Sequence, residues 1–289
     1  MVRAKVRPRN PLFEKLHPRD ARGRFRKRGP GDFGWLQKAA DQADPEIGQY
    51  KPRPGDLPFD HPTMASLLHA TPLYELSGRR RKQVIDQLHS YLATHTAMND
   101  PKSGMRVRLS PGNQAITLRE TGAIVVSYQI LDANTGKEVG VAVRQWQPHP
   151  DGKSARMLHI AAEIDPKWQG SGFMSRWNQK LEKVYKANGV KEIQLEANLD
   201  VGGYAWAKQG YDFFDFSDLK NLLKRARLQP HYNSLAIQKL IARSTRQHWD
   251  EGTAPTPLEW AMAGWTEGAK DWPGKRMMLG AHWNGVKPL

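Results

Sequence analysis

The sequence predicts a mixed α/β fold of the α+β kind, and three observations predict it. Residues 105–164 alternate between β-rich runs and turn clusters, as strands of a meander do. A glycine-containing loop, a helical period and another strand follow, which is the order of a β-loop-α-β unit. Beyond residue 216 the period is helical again. We therefore expect a basic, proline-rich arm (1–62), a helical linker segment (63–104), a mixed domain (105–215) and a helical, tryptophan-rich C-terminal extension (216–289).

The N-terminal arm stands out by its charge and its prolines. The 289 residues carry a net charge of +15, of which residues 1–30 contribute +9, and nine of the 20 prolines fall within residues 1–62. Such a segment repels itself and has few apolar anchors, so we expect it to be disordered or extended. Its expected partners are nucleic acid or an acidic protein surface. The residues expected to contact them are Arg19, Arg22, Arg24, Arg26, Lys27 and Arg28. The alternative is a solvated or targeting tail with no specific partner.

The linker and the first strands follow from local patterns. Ser77 is the expected N-cap of a helix over residues 78–95, whose Ile85, Leu88 and Leu92 share one face. Residues 123–131 and 139–143 are β-rich runs separated by a turn cluster, which predicts a hairpin. Residues 158–164 predict a third strand, which ends at Asp165 and Pro166.

The second half of the chain alternates between helices and strands. A helix from Phe173 to a C-terminal glycine at position 189 carries an apolar stripe, and strands are expected at 193–197 and 211–214 around a short helix at 204–209. The members of that stripe are Phe173, Trp177, Leu181 and Val184. Helices are also expected near 219–223, 235–241 and after Pro257, with the end of the chain packed back on the domain. Five tryptophans in this last third predict either a helical core or a docking surface for a protein partner.

Composition excludes several classes of site. The chain has no cysteine, so disulfide scaffolds, thiolate zinc sites and cysteine nucleophiles are excluded. No apolar run approaches the ~20 residues that a membrane-spanning helix needs, and the N-terminus lacks the apolar region of a secretory signal. His149 and His159 have no third ligand at a recognisable spacing, so we expect no metal site.

The segment from Glu163 to Met174 is the most informative for function. It runs from a strand through a loop with two glycines, Gly170 and Gly172, into a helix. The first turn of a helix presents unpaired N–H groups, and glycine lets a phosphate approach the backbone closely. The loop therefore predicts a ligand with a pyrophosphate group, to which Lys167 adds charge. The alternative is a tight strand-to-helix turn that needs two glycines.

This junction resembles the signature of the GNAT superfamily of acetyl-CoA-dependent N-acetyltransferases. The signature is Gln/Arg-x-x-Gly-x-Gly/Ala, and Gln169, Gly172 and Met174 stand at its three defining places. Asn198 after the next strand, and the short helix that ends at residues 210–211, resemble a second feature of the family. The resemblance covers residues 105–215 and implies a mostly antiparallel sheet with flanking helices. Met174 departs from the signature's small residue, and Trp206 stands where many members have a tyrosine.

The resemblance also implies an active site for transfer of an acetyl group to an amine. Its cofactor is acetyl-CoA. The residues implied to bind it are Ile164, Gln169, Gly170, Ser171, Gly172, Phe173 and Asn198. Glu163 is implied to be the general base, and Tyr204 is the candidate acid for the departing thiolate.

Residues 10–25 contain a second resemblance, to a phrase found in virion-associated proteins of phages of actinobacteria. The phrase is His-Pro-Arg-Asp-x-x-Gly-Arg-Phe, and it begins here at His17. It implies a phage protein, located in the virion or the host cytoplasm, whose arm contacts DNA or neighbouring capsid or portal subunits. Two hypotheses therefore stay open. One is an N-acetyltransferase, and the other is a non-catalytic minor capsid protein with a GNAT-like scaffold.

Overall fold

The structure is a computed structural model that describes residues 63–70, 73, 75–76, 78–112, 115–197 and 202–289. The predictions for the arm and its six basic residues, for Ser77 and for Asn198 lie outside these residues. The described chain divides into two compact units. The first comprises residues up to Ala155 and residues Ile160–Gly189, and the second comprises Arg156–His159 and Val190–Leu289. Together their elements make a mixed α/β fold with mostly antiparallel strands and flanking helices, as the sequence predicts.

The described residues of the first unit form three α-helices and six strands, and residues 156–159 of the last strand belong to the second unit. The helices are α1 (Met64–Ala70), α2 (Gly78–Thr96) and α3 (Phe173–Ala187). The strands are β1 (Met98–Asp100), β2 (Met105–Leu109), β3 (Ile116–Leu118), β4 (Ile124–Asp132), β5 (Glu138–Pro148) and β6 (Ala155–Ile164).

The strands of the first unit pair in the order β1-β2-β4-β5, with β3 beside β4, and each of these pairings is antiparallel. The predicted hairpin is confirmed, since Tyr128 on β4 lies opposite Ala142 on β5. The three-residue strands β1 and β3 were not predicted, because runs this short carry no visible alternation. The linker segment is therefore not helical throughout.

The core of the first unit forms between this sheet and the apolar stripes of α2 and α3. Ile85, Leu88 and Leu92 are buried, as predicted for α2. The prediction for Val184 on α3 is wrong, since it is half-buried while Tyr185 is buried. The buried stripe of α3 thus continues from Leu181 to Tyr185, again four residues later. The Tyr185 ring packs there with an edge contact at 5.3 Å from the Trp146 ring.

The described residues of the second unit form six α-helices and three strands, and one of these strands was not predicted. Its elements are β7 (Val190–Ala197), α4 (Gly202–Ala207), β8 (Asp212–Phe213), α5 (Phe216–Ala226), α6 (Leu235–Arg243), α7 (Arg246–Asp250), α8 (Pro257–Met262), α9 (Pro273–Met278) and β9 (Trp283–Pro288). The C-terminus packs back on the unit, as predicted. It does so as a strand between β7 and β8, so the extension that was predicted to be helical also contains a strand.

Tryptophan closes the core of the second unit. Trp260 and Trp283 are buried, and Trp283 makes an edge contact with Phe213 at 5.4 Å. The residues at the start of β9 alternate as in a strand: Trp283 and Gly285 face inward, while Asn284 is exposed. Trp265 is 46% exposed. The core interpretation therefore holds for Trp260 and Trp283, while Trp265 does not belong to this core.

Candidate functional site

The loop between β6 and α3 begins with a capped 3-10 helix and continues through two glycines. After Ile164, the Asp165 carboxylate accepts a hydrogen bond from the Lys167 backbone N–H at 3.2 Å and caps a short 3-10 helix, Pro166–Trp168. Gln169 then extends, and its side-chain amide donates to the Ile164 carbonyl at 2.8 Å. The Gln169 side chain is thus turned back to its own strand, and it closes the loop at its base.

The two loop glycines have left-handed backbone conformations. Both Gly170 and Gly172 have φ of 76°, which favours glycine because other residues are strained there. Among the residues that the structure describes, no atom beyond the chain neighbours lies within 4 Å of a Cβ placed at Gly170, so one face of this residue is open to them. A Cβ at Gly172 would lie 2.7 Å from Nη1 of Arg176. The backbone therefore requires glycine at both positions, and the open face at Gly170 leaves room for a ligand.

Three backbone donors of the loop lack an acceptor among the described residues. Within the described part of the chain, no acceptor contacts the N–H groups of Gly170, Ser171 or Gly172. The Ser171 hydroxyl donates to the Trp168 carbonyl at 3.2 Å. Helix α3, 15 residues long, has no side-chain cap and no acidic residue in its first turn. Unpaired N–H groups beside an uncapped helix N-terminus attract an anion.

Arg176 on the first turn of α3 borders the loop. Its guanidinium donates to both oxygens of Asp100 on β1, with Nε–Oδ1 at 3.2 Å and Nη2–Oδ2 at 2.6 Å. Nη2 also donates to the Ser171 carbonyl at 3.0 Å. The ion pair with Arg176, together with the Ser103 hydroxyl, holds the pKa of the buried Asp100 carboxyl below its usual value. Arg176 and Asp100 were not predicted from the sequence, because a contact across 76 residues leaves no local pattern.

Glu163, the predicted general base, is half-buried near the end of β6. Its backbone lies tightly against β5, since a Cβ at Gly140 would overlap the Glu163 carbonyl oxygen and lie 3.1 Å from Cα of Ile164. The Asp165 N–H donates to the Val139 carbonyl at 2.8 Å across the same contact. Gly140 was missed, although a glycine inside a strand is itself a signal of close backbone approach.

A buried arginine supports the middle of β6. Arg144 on β5 is fully buried and donates from Nη1 to the carbonyls of Ala161 at 2.7 Å and Val143 at 3.1 Å. Its guanidinium lies 5.3 Å from the ring centroid of Trp177. These contacts tie β6 to β5 two residues before Glu163, which fixes the backbone from which the Glu163 side chain projects.

The remaining predicted residues divide between the units. Ile164 is half-buried, Phe173 is buried, and Met174 is half-buried. Tyr204 belongs to the second unit, where its ring lies 6.0 Å from that of Trp272 and burial raises the pKa of its phenol. Trp206 packs in the same unit against His159 at 5.8 Å.

A cavity of about 440 Å³ lies beside the start of the loop. Its lining is Asp132, Thr135, Lys137, Glu138, Val139, Asp165, Lys167 and Trp168. Three carboxylates against two lysines give it no preference for an anion. The described ranges contain no cluster of three or more potential metal ligands among His, Asp and Glu. None of the helices in those ranges has the length and apolar character needed to span a membrane.

Comparison with known proteins yields structural neighbours alone. No family model and no curated protein matches the chain. It is similar to two crystal forms of apo RimL, a ribosomal L7/L12 α-N-protein acetyltransferase, and to an acetyltransferase from Bacillus cereus ATCC 14579. For one RimL form the identity is 20% and the TM-score 0.24, with 32% of this chain and 56% of that chain covered.

The other two neighbours are equally remote. The second RimL form has 14% identity and a TM-score of 0.22, with coverage of 48% of this chain and 61% of that chain. The Bacillus cereus protein has 13% identity and a TM-score of 0.26, with coverage of 49% and 83%. The chain thus spans less than two thirds of either RimL structure. At these values no activity is carried over from the neighbours, and function has to be inferred from the loop itself.

Proposed function

We propose that the Gln169–Gly172 loop binds the diphosphate of acetyl-CoA and that this protein transfers the acetyl group to an amine. The observation that carries the proposal is the set of three backbone N–H groups without a protein acceptor among the described residues, beside the open face of Gly170. A diphosphate supplies the oxygen acceptors that these donors lack. The spacing of Gln169 and Gly172, which match the acetyl-CoA-binding signature while Met174 departs from it, favours acetyl-CoA over other diphosphates.

The protein's own groups account for the amine half of the reaction. The amine nitrogen bonds to the thioester carbonyl carbon, the carbon–sulfur bond breaks, and one proton of the amine passes to the Glu163 carboxylate. A carboxylate fixed close to the amine removes this proton without the help of a strong base from solution. Gly140 and Arg144 hold the β6 backbone from which Glu163 projects. The assignment of Tyr204 as the acid for the departing sulfur stays a prediction from the sequence.

A matched pair of glycine substitutions tests the binding site. Gly170→Glu places a carboxylate on the open face of the loop, where it repels the diphosphate. Gly152→Glu is the control, because Gly152 has φ of 73° and also no atom within 4 Å of its would-be Cβ, so the two variants carry the same backbone strain. Titration calorimetry with acetyl-CoA should show a loss of at least about tenfold in affinity for Gly170→Glu alone.

Two results would contradict the proposal. One is the absence of any binding heat for the wild-type protein at millimolar acetyl-CoA. The other is equal affinity in the Gly170→Glu and Gly152→Glu variants, which would place the ligand elsewhere.

We also propose an alternative function, a virion-associated structural protein in which the arm binds DNA or neighbouring capsid or portal subunits. Its support is the phage-like phrase in the arm together with large apolar side chains exposed on the second unit. These are Leu228 at 83%, Leu235 at 72%, Trp265 at 46% and Leu258 at 43% exposure. Exposed apolar groups of this size are candidates for contacts with a partner protein.

The arm is tested by its salt dependence. Replacing the six arm residues from Arg19 to Arg28 with glutamine should lower DNA affinity and reduce the slope of log K against log salt by about 5. Electrophoretic mobility shifts at several salt concentrations measure both quantities. A slope that is the same with and without these six charges would refute a role of the arm in DNA binding.

A further inference from the structure

Arg176 occupies a position where a basic residue is unfavourable unless something compensates for it. It lies in the first turn of α3, where the helix dipole favours negative charge and disfavours a cation by roughly 0.3–1 kcal/mol. The Asp100 carboxylate offsets part of this cost. The ion pair with the buried Asp100 accounts for Nε and Nη2 of the guanidinium, and only Nη1 calls for a separate explanation.

The contact with Asp100 fixes the plane of the guanidinium. Two nitrogens of Arg176 engage the two oxygens of Asp100, and a bidentate pair of this kind allows one orientation only. The Asp100 carboxylate is itself held by the Ser103 hydroxyl, and its side chain is 6% exposed. The Arg176 side chain is 32% exposed, so the guanidinium is rigidly supported on one side and accessible to solvent on the other.

The third guanidinium nitrogen lies directly beside the loop. Nη1 is 2.7 Å from the place where a Gly172 Cβ would stand, so the absence of a side chain at Gly172 is what lets the guanidinium approach. In the ranges that the structure describes, Nη1 has no acceptor, whereas Nε and Nη2 both have one. The loop thus combines three backbone N–H donors with the Arg176 guanidinium, whose Nη1 is available to donate a further hydrogen bond.

We propose that Arg176 contacts the diphosphate of the ligand through Nη1, and that Asp100 is the positioning residue that aims it. This rests on the function proposed above and assigns to the loop a cationic side chain for ligands that carry phosphate. Because a hydrogen bond to a charged group contributes about 1.5–3 kcal/mol, removing it should lower affinity about 10- to 150-fold. Ligands that lack phosphate should bind without change.

The test compares three ligands and four variants by titration calorimetry. The ligands are coenzyme A and pantetheine, which lacks the diphosphate, with inorganic pyrophosphate as a third, minimal probe. Arg176→Gln should lose affinity for coenzyme A and pyrophosphate and keep that for pantetheine. Arg176→Lys should lose less, and Asp100→Asn should weaken the same two ligands, because the guanidinium is no longer fixed.

The control variant is Arg156→Gln. It removes an equally charged, partly exposed arginine that lies 4.0 Å from a Glu192 oxygen, at the opposite end of β6 from the loop. It should bind all three ligands as the wild type does. Thermal unfolding without ligand shows whether each variant is folded, and a purely structural role of Arg176 would change binding of coenzyme A and pantetheine alike.

The outcomes separate this inference from the proposed function. If the wild type binds coenzyme A and Arg176→Gln binds it equally well, the role of Arg176 is refuted while the proposed function stands. If the wild type binds pyrophosphate but not coenzyme A, the proposed function fails. The role of Arg176 is then tested by whether Arg176→Gln lowers the affinity for pyrophosphate. If the wild type binds neither, both are refuted.

Discussion

In the first unit, the loop glycines have left-handed backbones, and a side chain at Gly170 would extend into open space. In the second unit, Gly203 and Gly274 have no left-handed backbone, and their surroundings are full. A Cβ at Gly203 would lie 2.6 Å from the Met278 carbonyl oxygen, and one at Gly274 would lie 2.6 Å from the Ala263 nitrogen. The same residue type thus leaves space for a ligand in one unit and lets backbones pack closely in the other. We expect changes near the loop to affect binding and catalysis, and changes at the packed glycines to affect stability.

The largest effect is expected for Glu163→Gln. Removing a general base should lower kcat by about 10²- to 10⁴-fold, because the amide cannot accept the proton of the amine. The affinity for acetyl-CoA should stay within about twofold, since the loop donors are untouched, and this is checked by steady-state kinetics beside calorimetry. An unchanged kcat in the folded variant would remove Glu163 from the reaction and leave only the binding half of the proposal.

Neighbouring glycines on α4 provide the sharpest test of the packed region. Gly203→Ala should destabilise the protein by about 3 kcal/mol, because its Cβ would collide with two backbone carbonyl oxygens, those of Met278 and Ala281. Gly202→Ala should be neutral or stabilising by up to about 1 kcal/mol, since the contacts of its Cβ with the described residues are ordinary ones near 3.9 Å. Urea unfolding measures both. Equal unfolding free energies for the two variants would contradict the contrast between packed and open glycines.

Gly140 shows whether the contrast depends on the unit or on the local packing. It lies in the first unit yet is packed, since a Cβ at this position would overlap the Glu163 carbonyl oxygen. Gly140→Ala should therefore cost about 1–3 kcal/mol of unfolding free energy and also lower kcat, because it displaces the backbone of the proposed base. Chemical unfolding and kinetics on one preparation measure both effects. Stability equal to that of the wild type would mean that β5 and β6 separate easily at this point.

Local patterns predicted most of the elements and the loop, because strand alternation, the helical period and turn glycines are all short-range signals. The hairpin, α3 and the glycine turn follow from residues within one or two turns of each other. The partners of the loop did not follow, since Asp100 reaches Arg176 across 76 residues and Gly140 meets Glu163 across a strand pair. Strand β9 was missed because its alternation covers only three positions, Trp283 to Gly285, before half-buried and exposed residues follow.

The smallest effect concerns a buried carboxylate of the second unit. Asp218 on α5 accepts hydrogen bonds from the backbone and side-chain N–H groups of Asn284, both at 2.9 Å. Burial raises the pKa of its carboxyl from 3.8 to about 6. The folded protein then binds this proton more tightly than the unfolded chain, so the stabilisation is complete below pH 4 and is lost as the pH rises to about 6.

Asp218→Asn tests this directly, because asparagine keeps an oxygen that can accept from Asn284 and cannot ionise. Relative to the wild type, the variant should gain about 1–3 kcal/mol of unfolding free energy between pH 4 and pH 7. Urea unfolding at both pH values measures this difference. Titrating groups that do not interact with Asp218 cancel between the two proteins, whereas Asp215, whose charge also raises the pKa of Asp218, contributes to the difference. If the two stability curves run parallel, the carboxylate is ionised at no cost in the folded protein. Water would then reach Asp218 more easily than its exposed fraction of 2% indicates.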